Sequence, residues 1–355
     1  MINELSIKNF KILRDLKIPK LSPVTLIAGK NNVGKSTVLE AIFFSNSYAQ
    51  SDTFLKLNMI RGAQASTVTE LWKSYFNLAS TEKKMCIKKV EEISTKTVTV
   101  SLENGKKADK QVSEILPVND TLKLSNNNVL DQYLSISATD GTEEDNIAFY
   151  IGFDGRLQTE DLNQQNNQVR NSTFTQYLGA RIGYGGSNLA ELYGKIDLEG
   201  KSNIVIKALK LFDPEITDIK TIVQNGIAKL YVTLENGKKL PVDYMGDGIN
   251  KLMSICISIL ANPNAIILID EIENGFHYTM HKKIWEMIIS AANEVNTQVI
   301  ATTHSYECIQ GASDAIGTDD KFSYVRLDQI DEQIVAKCMS AEQLKLALDS
   351  EMEVR

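Results

Sequence analysis

Apolar and polar residues alternate over the first 18 positions and then give way to a continuous apolar run. Five aliphatic residues carry the alternation: Ile2, Leu5, Ile7, Leu16 and Ile18. This pattern is typical of strands with one buried face, and the run VTLIAG at 24–29 predicts a further, fully buried strand. Because STVLEAIFF at 36–44 has the apolar spacing of a buried helix, the first 45 residues predict three strands, a glycine-rich loop and a helix.

The last third of the chain alternates strand-like and helix-like segments. In chain order these are AIILID, HKKIWEMIISAANEV, QVIATT, SYECIQGA, FSYVRL and AEQLKLALDSE. An alternation of this kind predicts parallel strands with helices packed on the sheet, which is an α/β fold. Two helix-like segments, two strand-like segments and a helix that begins near Gly248 precede it.

Residues 46–174 differ in composition from the segments on either side. Runs rich in Asn, Ser, Gln and Thr separate short strand-like segments such as TKTVTVSLENG at 95–105 and IAFYIGFDG at 147–155. We therefore predict one domain built from 1–45 and 175–355. The intervening residues are predicted to be an insertion with irregular, β and helical segments.

Composition limits the classes of function. The 355 residues are 43% hydrophobic and 23% charged, as in ordinary globular chains, and the length favours two domains or one elaborated domain. The net charge of -7 gives no overall attraction to nucleic acid, so DNA binding would need a local basic patch. Four scattered cysteines, a start without a secretory signal and the absence of an apolar run of about 20 residues predict a cytoplasmic protein that is not integral to a membrane.

A phosphate-binding loop is the strongest motif in the sequence. GKNNVGKS at 29–36 matches G-x-x-x-x-G-K-[ST], and it lies between a predicted strand and a predicted helix. In such a loop the backbone N–H groups and the helix amino terminus bind phosphate, Lys35 reaches the β and γ phosphates, and Ser36 holds magnesium. The predicted nucleotide-binding residues are Gly29, Asn31, Asn32, Val33, Gly34, Lys35, Ser36 and Thr37.

Two acidic residues follow the apolar strand predicted at 266–269. Asp270 and Glu271 are expected at the carboxyl edge of a central parallel strand, where ligands bind in open α/β sheets. Neighbouring residues on a strand point in opposite directions, so we expect Asp270 to face magnesium and Glu271 to face the attacking water as a general base. His304 follows the neighbouring strand-like run, where its imidazole could contact the γ-phosphate. The alternative is a structural histidine, which is the more common role at a strand end.

A second candidate anion site lies ahead of an apolar helix. Gly246, Asp247 and Gly248 form a glycine-containing turn there, and the amino terminus of the helix would attract phosphate. The alternative is an ordinary helix start that Asp247 caps. His277 and His281 have the i, i+4 spacing of a zinc pair, but the sequence shows no third ligand, so zinc binding is not favoured.

Taken together, GKNNVGKS, YMGDGINKL, LIDEIENGFH and ATTHS have the order and spacing found in ABC-type ATPase heads. The residues of these motifs resemble those of the OLD-like (overcoming lysogenization defect) AAA ATPases. The resemblance covers residues 1–45 of this chain and the part from about 175 to the end. It implies a P-loop NTPase fold of the ABC-ATPase type, α/β with a mixed sheet, flanking helices and an inserted helical and β region.

The resemblance also assigns roles to particular residues. It identifies Lys35 and Ser36 with the Walker A pair, and Asp270 and Glu271 with the Walker B pair. The same comparison gives His304 the role of the switch histidine and places Gly246, Asp247 and Gly248 in the signature turn. Gln176, in FTQYLGAR, is the candidate for the Q-loop glutamine of the family.

Two departures separate the chain from transporter-type heads. Gly246 stands where the LSGGQ signature has serine, which removes one hydroxyl contact to the γ-phosphate. His277 replaces an aspartate, as it often does in OLD-like and SMC-like heads. OLD nucleases carry a C-terminal Toprim domain, whose metal motif is not found after His304, so we expect an ATPase head that acts with a separate effector.

The resemblance implies that two chains pair head to tail, as a dimer or within a higher oligomer. ATP and Mg2+ would lie between the phosphate loop of one chain and the signature turn of the other. We therefore predict an ATPase that converts ATP to ADP and phosphate and acts as a nucleotide switch for a separate protein effector. By the same resemblance the effector is a nuclease or toxin in antiphage defence.

Three alternatives stay open. A RecF-like clamp that binds duplex DNA would need a local basic patch, for which the lysine-rich stretch 83–110 is the candidate, although an ordinary solvated surface explains such a stretch more often. A transporter ATPase subunit is disfavoured by the unusual signature turn and by ENGFH after the acidic pair. A non-hydrolysing nucleotide-binding scaffold is disfavoured because Lys35, Asp270 and Glu271 are all present.

Overall fold

The computed structural model describes residues 1–50, 53–61, 68–104, 115–116, 132–151, 157–161, 173–179, 187–317 and 320–355. The chain forms two compact units. Unit 1 consists of Met1–Leu21, Lys30–Thr173 and Leu327–Cys338, and unit 2 of Ser22–Gly29, Phe174–Arg326 and Met339–Arg355. The domain boundaries drawn from composition, near residues 45 and 175, stay a prediction.

The strands of the described residues are, in chain order, β1 Ile2–Phe10, β2 Leu13–Ile18, β3 Val24–Gly29, β4 Met85–Glu91, β5 Thr95–Asn104, β6 Ile115–Leu116, β7 Gln132–Thr139, β8 Glu144–Ile151, β9 Leu157–Asp161, β10 Thr175–Leu178, β11 Ile216–Gln224, β12 Ile227–Leu234, β13 Lys239–Pro241, β14 Ile266–Ile269, β15 Gln298–Thr302, β16 Phe322–Ile330 and β17 Gln333–Ser340. The helices are α1 Lys35–Ser47, α2 Thr53–Arg61, α3 Val68–Lys73, α4 Ser187–Leu198, α5 Ser202–Lys210, α6 Asp247–Leu260, α7 His281–Glu294, α8 Tyr306–Ile316 and α9 Ala341–Asp349. The three strands, loop and helix predicted for the first 45 residues are confirmed.

Unit 1 contains an antiparallel sheet with the strand order β2-β1-β4-β5-β7-β8-β9-β6. Its register places Ile7 between Leu16 and Ile87, so apolar side chains of three neighbouring strands share one face. Buried aromatic rings pack within the same unit, centred on Phe54, whose ring centroid lies 5.2 Å from that of Phe149. The strand-like runs that begin at 95 and 147 therefore belong to this sheet as β5 and β8.

Unit 2 is built on parallel strands in the order β10-β14-β15-β3, followed by β16. Every residue of β3, β14 and β15 is buried, as expected of central parallel strands covered on both faces. Helices α4 to α9 contribute to the core of this unit, and β11, β12 and β13 form a separate antiparallel sheet. The strand–helix alternation predicted for the last third is thus confirmed.

Among the described residues, no helix combines the length and apolar character required to cross a membrane.

Candidate active site

The phosphate loop, residues 29–36, connects β3 to α1. Gly29 ends β3 with φ 143°, and Asn32 and Gly34 have φ of 65° and 84°, so the loop turns through left-handed backbone at three points. A Cβ at Gly34 would lie 2.9 Å from Leu13 Cδ2. Glycine is therefore required at Gly34 both by its conformation and by the space around it.

The first turn of α1 presents the two residues of the Walker A pair. Lys35 is the first residue of the helix, and its Nζ donates to the Lys30 carbonyl oxygen at 2.8 Å. Ser36 is half-buried and Thr37 is buried, whereas Asn31 is exposed and Val33 is buried. No acidic residue lies in this first turn, so the partial positive charge of the helix end is not offset there. The local geometry suits an anion.

In unit 2, the carboxyl ends of β14 and β15 carry a hydrogen-bonded cluster around Asp270. Its carboxylate accepts from Thr302 Oγ1 at 2.6 Å and from the Tyr177 hydroxyl at 3.1 Å. Asp270 is buried, with 7% of its surface exposed. Each carboxylate oxygen has a second lone pair, so these hydrogen bonds orient the group without exhausting its capacity to accept. The sequence analysis missed Tyr177, which lies on β10 next to the residue chosen there.

Gln176, the candidate Q-loop residue, does not reach this edge. It pairs in register with Ile267 on β14, and its Oε1 accepts from Asn262 Nδ2 at 3.4 Å. Asn262 lies between the end of α6 and the start of β14, whereas Asp270 follows the other end of β14. The structure therefore does not place Gln176 beside Asp270.

Glu271 adopts a conformation that the strand pattern did not anticipate. Strand β14 ends at Ile269, and Glu271 has φ 47°, in the left-handed region. Its N–H donates to Thr302 Oγ1 at 2.9 Å, and its Oε2 accepts from Asn274 Nδ2 at 2.6 Å. The strand alternation used to predict opposite directions for Asp270 and Glu271 therefore does not apply, because Glu271 lies beyond β14 in left-handed backbone.

His304 is anchored by a buried carboxylate. Glu273 Oε1 accepts from the His304 backbone N–H at 2.7 Å and lies 2.9 Å from Nδ1 of the same residue. The other oxygen, Oε2, is buried and has no hydrogen-bond partner among the described residues, and Glu273 is 8% exposed. The side chain of His304 is 45% exposed. Because Nδ1 is engaged, Nε2 is the ring nitrogen left to meet a ligand, and Glu273 is a residue that the sequence analysis missed.

Residues 246–248, predicted to form the signature turn, lead into α6. Gly246 is the N-cap and Asp247 is the first helical residue, and no side chain caps this end. The alternative that Asp247 caps the helix is therefore wrong, because its backbone is already helical. A Cβ at Gly248 would lie 2.7 Å from the Gly275 carbonyl oxygen, so α6 begins in direct contact with the segment that follows Glu271.

Lys251 lies one turn further along α6 and is buried. Its Nζ donates to the carbonyl oxygens of Glu271 at 2.8 Å and Asn274 at 3.0 Å. Burial lowers the pKa of Lys251 to about 8, against the opposing effect of the negative charges on Glu273 and Glu271. Nothing in the sequence pattern distinguished this lysine from a surface one.

The two histidines considered as zinc ligands differ in burial. His277 is exposed, with Nδ1 at 2.9 Å from Thr279 Oγ1, whereas His281 is buried at the start of α7. Burial lowers the pKa of His281. Within the part of the chain that the structure describes, no group of three or more His, Cys, Asp and Glu side chains is arranged to hold a metal ion.

These features define a class of protein. A phosphate loop after a buried parallel strand, two carboxylates at the end of a central strand and a histidine after the next strand are the parts of a P-loop ATPase head. Two solved SMC head structures have a similar fold. One, bound to the C-winged helix domain of ScpA, shares 13% identity with a TM-score of 0.55 and covers 97% of this chain and 99% of its own. The other has an extended coiled coil, is bound to the C-terminal domain of ScpA derived from Pyrococcus furiosus, shares 11% identity with a TM-score of 0.53, and covers 99% of both chains.

The AAA ATPase domain family matches residues 1–309, and the chain belongs to that family. It is therefore an ATP-binding ATPase of the AAA/ABC P-loop type, which confirms the predicted fold class and enzyme class. An ATP/GTP phosphatase of Helicobacter pylori (strain ATCC 700392 / 26695) is 25% identical to it, over 99% of each chain. An uncharacterized protein of Methanocaldococcus jannaschii is 41% identical over 58 residues, which are 16% of this chain and 26% of that protein.

Proposed function

We propose that the chain is an OLD-like ATPase that uses ATP as a switch for a separate protein. The observation that carries the proposal is the cluster of Asp270, Glu271 and Thr302 at one edge of the unit 2 sheet. Thr302 pairs in register with Ile27 on β3, and β3 ends two residues later at Gly29, where the phosphate loop begins. The carboxylates and the start of the phosphate loop thus belong to the same edge of one parallel sheet.

Each residue has a proposed role in ATP hydrolysis. Lys35 and the backbone N–H groups of the phosphate loop bind the phosphates. Ser36 and Asp270 offer the oxygen ligands that Mg2+ prefers, and a bound Mg2+ would offset the charge of the phosphates. Glu271 takes a proton from the attacking water, and His304 Nε2 contacts the γ-phosphate. The relative described as an ATP/GTP phosphatase supports a nucleoside triphosphate as the substrate.

Closure of two chains around ATP is the proposed switch. One protomer supplies the phosphate loop and its partner supplies the signature turn, Gly246–Gly248. The start of α6 lacks a side-chain cap, so its N–H groups are suited to bind the γ-phosphate. ATP carries that phosphate and ADP does not, and a ligand shifts an equilibrium by its differential affinity for the two states. Hydrolysis would then open the dimer.

A separate protein is the proposed target of the switch. An SMC head of similar fold was solved bound to a domain of ScpA, which supports a head that acts through a protein partner. The resemblance to OLD-like ATPases adds a nuclease or toxin of antiphage defence as the class of effector, in the cytoplasm. The domain division at 1–45, 46–174 and 175–355 belongs to the same proposal.

Duplex DNA is the alternative partner, and the structure weakens the patch that favoured it. Within the lysine-rich stretch 83–110, Lys89 is fully buried and Lys96 lies 3.7 Å from Glu91. These two lysines therefore contribute little charge to a surface, and residues 105–110 of this stretch lie outside the described part of the chain.

The test is the mass in solution of the Glu271→Gln protein with and without ATP and magnesium, repeated with a short DNA duplex. We expect a monomer that becomes a dimer with ATP, because the substitution leaves binding intact and stops proton transfer. The matched control adds Lys35→Ala, which should remove the dimer by weakening phosphate binding. An ATP-dependent dimer that captures duplex would favour the DNA clamp, and no change of mass with ATP would contradict the switch.

A further inference from the structure

Lys251 is a buried lysine whose partners are backbone carbonyls of the turn that carries Glu271. It is 6% exposed, and its Nζ donates to Glu271 O at 2.8 Å and to Asn274 O at 3.0 Å. The N–H of Asn274 donates to the same Glu271 oxygen at 3.0 Å, which closes the turn. Buried lysines are uncommon because desolvation of the ammonium is costly. A lysine in this place therefore needs an explanation beyond packing.

The same face of α6 touches this turn at a second point. Gly248 lies three residues before Lys251, a spacing that puts both on one side of a helix. A Cβ on Gly248 would lie 2.7 Å from Gly275 O and 3.5 Å from Phe276 Cδ1. The Nζ of Lys251 stands 5.5 Å from the centroid of the Phe276 ring, within reach of a cation–π interaction. The first turn of α6 and the segment 271–276 are thus in close van der Waals contact.

The backbone of Glu271 depends on such support. A φ of 47° is uncommon for a residue with a side chain and persists where the surroundings fix it. Thr302 Oγ1 accepts from the Glu271 N–H at 2.9 Å, while Lys251 and Asn274 donate to the carbonyl oxygen of Glu271. Of these partners, Lys251 is the one that belongs to the helix of the signature turn.

We propose that Lys251 is a positioning residue that couples the signature turn to the general base. When a partner protomer closes on Gly246–Gly248, the first turn of α6 moves. Because Lys251 Nζ is hydrogen-bonded to the Glu271 carbonyl oxygen, this movement shifts the Glu271 backbone and changes the orientation of the Glu271 carboxylate. Hydrolysis is thereby tied to closure of the dimer. The inference rests on the proposed function, since it takes Glu271 as the base and the signature turn as the surface that meets ATP.

The test replaces Lys251 with methionine, which keeps an unbranched chain and removes the donor. We expect kcat for ATP hydrolysis to fall by about 10- to 100-fold, because a displacement of about 1 Å costs up to that much, while KM changes by less than about 2-fold. Lys251→Arg retains a charged donor and should recover part of kcat. With ATP and magnesium, Lys251→Met should accumulate as a dimer, as Glu271→Gln does.

Lys89→Met is the matched control. Lys89 is a fully buried lysine of unit 1 that donates to the Ser45 carbonyl oxygen and to Asn46 Oδ1. Its removal should change the unfolding temperature and leave kcat and KM as in the unaltered protein. A similar pattern in Lys251→Met, with stability changed and kcat retained, would overturn the positioning role.

Other outcomes are equally decisive. If kcat and KM change together in Lys251→Met and Lys251→Arg restores neither, Lys251 serves the fold alone and the inference is wrong. If the unaltered protein neither hydrolyses ATP nor dimerises with it, the proposed function fails first, whatever Lys251 does. Should Lys251→Met not fold, Phe276→Leu removes the ring beneath Nζ, and a fall in kcat at constant KM is again the expected result.

Discussion

Replacing Gly248 with alanine tests the contact between α6 and the segment after Glu271. The new Cβ would lie 2.7 Å from Gly275 O, and ordinary contact begins at 3.4 Å, so the two backbone segments separate by about 0.7 Å (3.4 - 2.7) when the clash is fully relieved. Overpacking of this kind costs about 1–3 kcal/mol of unfolding free energy. Alanine gains about 1 kcal/mol over glycine inside a helix, so we expect a net loss of up to about 2 kcal/mol in the free energy of unfolding.

The same substitution should also lower kcat for ATP hydrolysis, and by more than the small loss of stability would suggest. The 0.7 Å displacement acts on the turn that holds Glu271, and shifts approaching 1 Å cost up to about 100-fold, so we expect kcat to fall at least about 10-fold. Denaturant unfolding and phosphate release measure the two effects. Gly194→Ala in α4 is the control, because a Cβ there meets nothing within 4 Å, and it should retain kcat and gain about 0.5–1 kcal/mol. Unchanged kcat and stability in Gly248→Ala would show that the close contact between α6 and the segment after Glu271 does not hold the base in place.

Two further predictions concern buried charges. Glu273→Gln keeps an acceptor for the His304 N–H and removes the negative charge beside Nδ1 of His304. We therefore expect kcat to fall about 10-fold with ATP binding retained, as measured by phosphate release and nucleotide titration. An unchanged kcat would mean that this charge does not orient His304. Burial lowers the pKa of Lys89 to about 7, so between pH 7 and about 10.5 the unfolded chain binds the proton that the folded chain lacks. Stability should therefore rise with pH across this window by a few kcal/mol, and Lys89→Met should flatten the rise in denaturant unfolding; an equal rise in both proteins would show that Lys89 is not its source.

The parts of the site that depend on local backbone could be predicted from the sequence. The phosphate loop needs glycine at Gly34, where φ is 84°, and a strand and helix on either side, and all of these are visible in a short stretch of sequence. Asp270 and Glu271 were found for a similar reason, since a run of four buried aliphatic residues ends immediately before them. The parallel sheet of unit 2 followed from the same alternation of strand and helix patterns.

The residues that were missed act over long sequence distances. Tyr177 reaches Asp270 across 93 residues and Lys251 reaches Glu271 across 20, and no periodic pattern marks such pairs. Asp247 was weighed as a cap, but a cap depends on the φ and ψ of one residue, and here Gly246 has the extended values. The left-handed turn at Glu271 was likewise invisible, because glutamate has no preference for it.

In the proposed function this chain hydrolyses ATP with Glu271 as the base and Lys35 as a phosphate ligand. The direct measurement is ATP binding and phosphate release, side by side, for the unaltered protein, Lys35→Ala and Glu271→Gln. We expect that the unaltered protein binds and hydrolyses ATP, that Lys35→Ala binds ATP weakly, and that Glu271→Gln binds ATP normally and releases no phosphate. Hydrolysis at the unaltered rate by Glu271→Gln would contradict the role of Glu271 as the base.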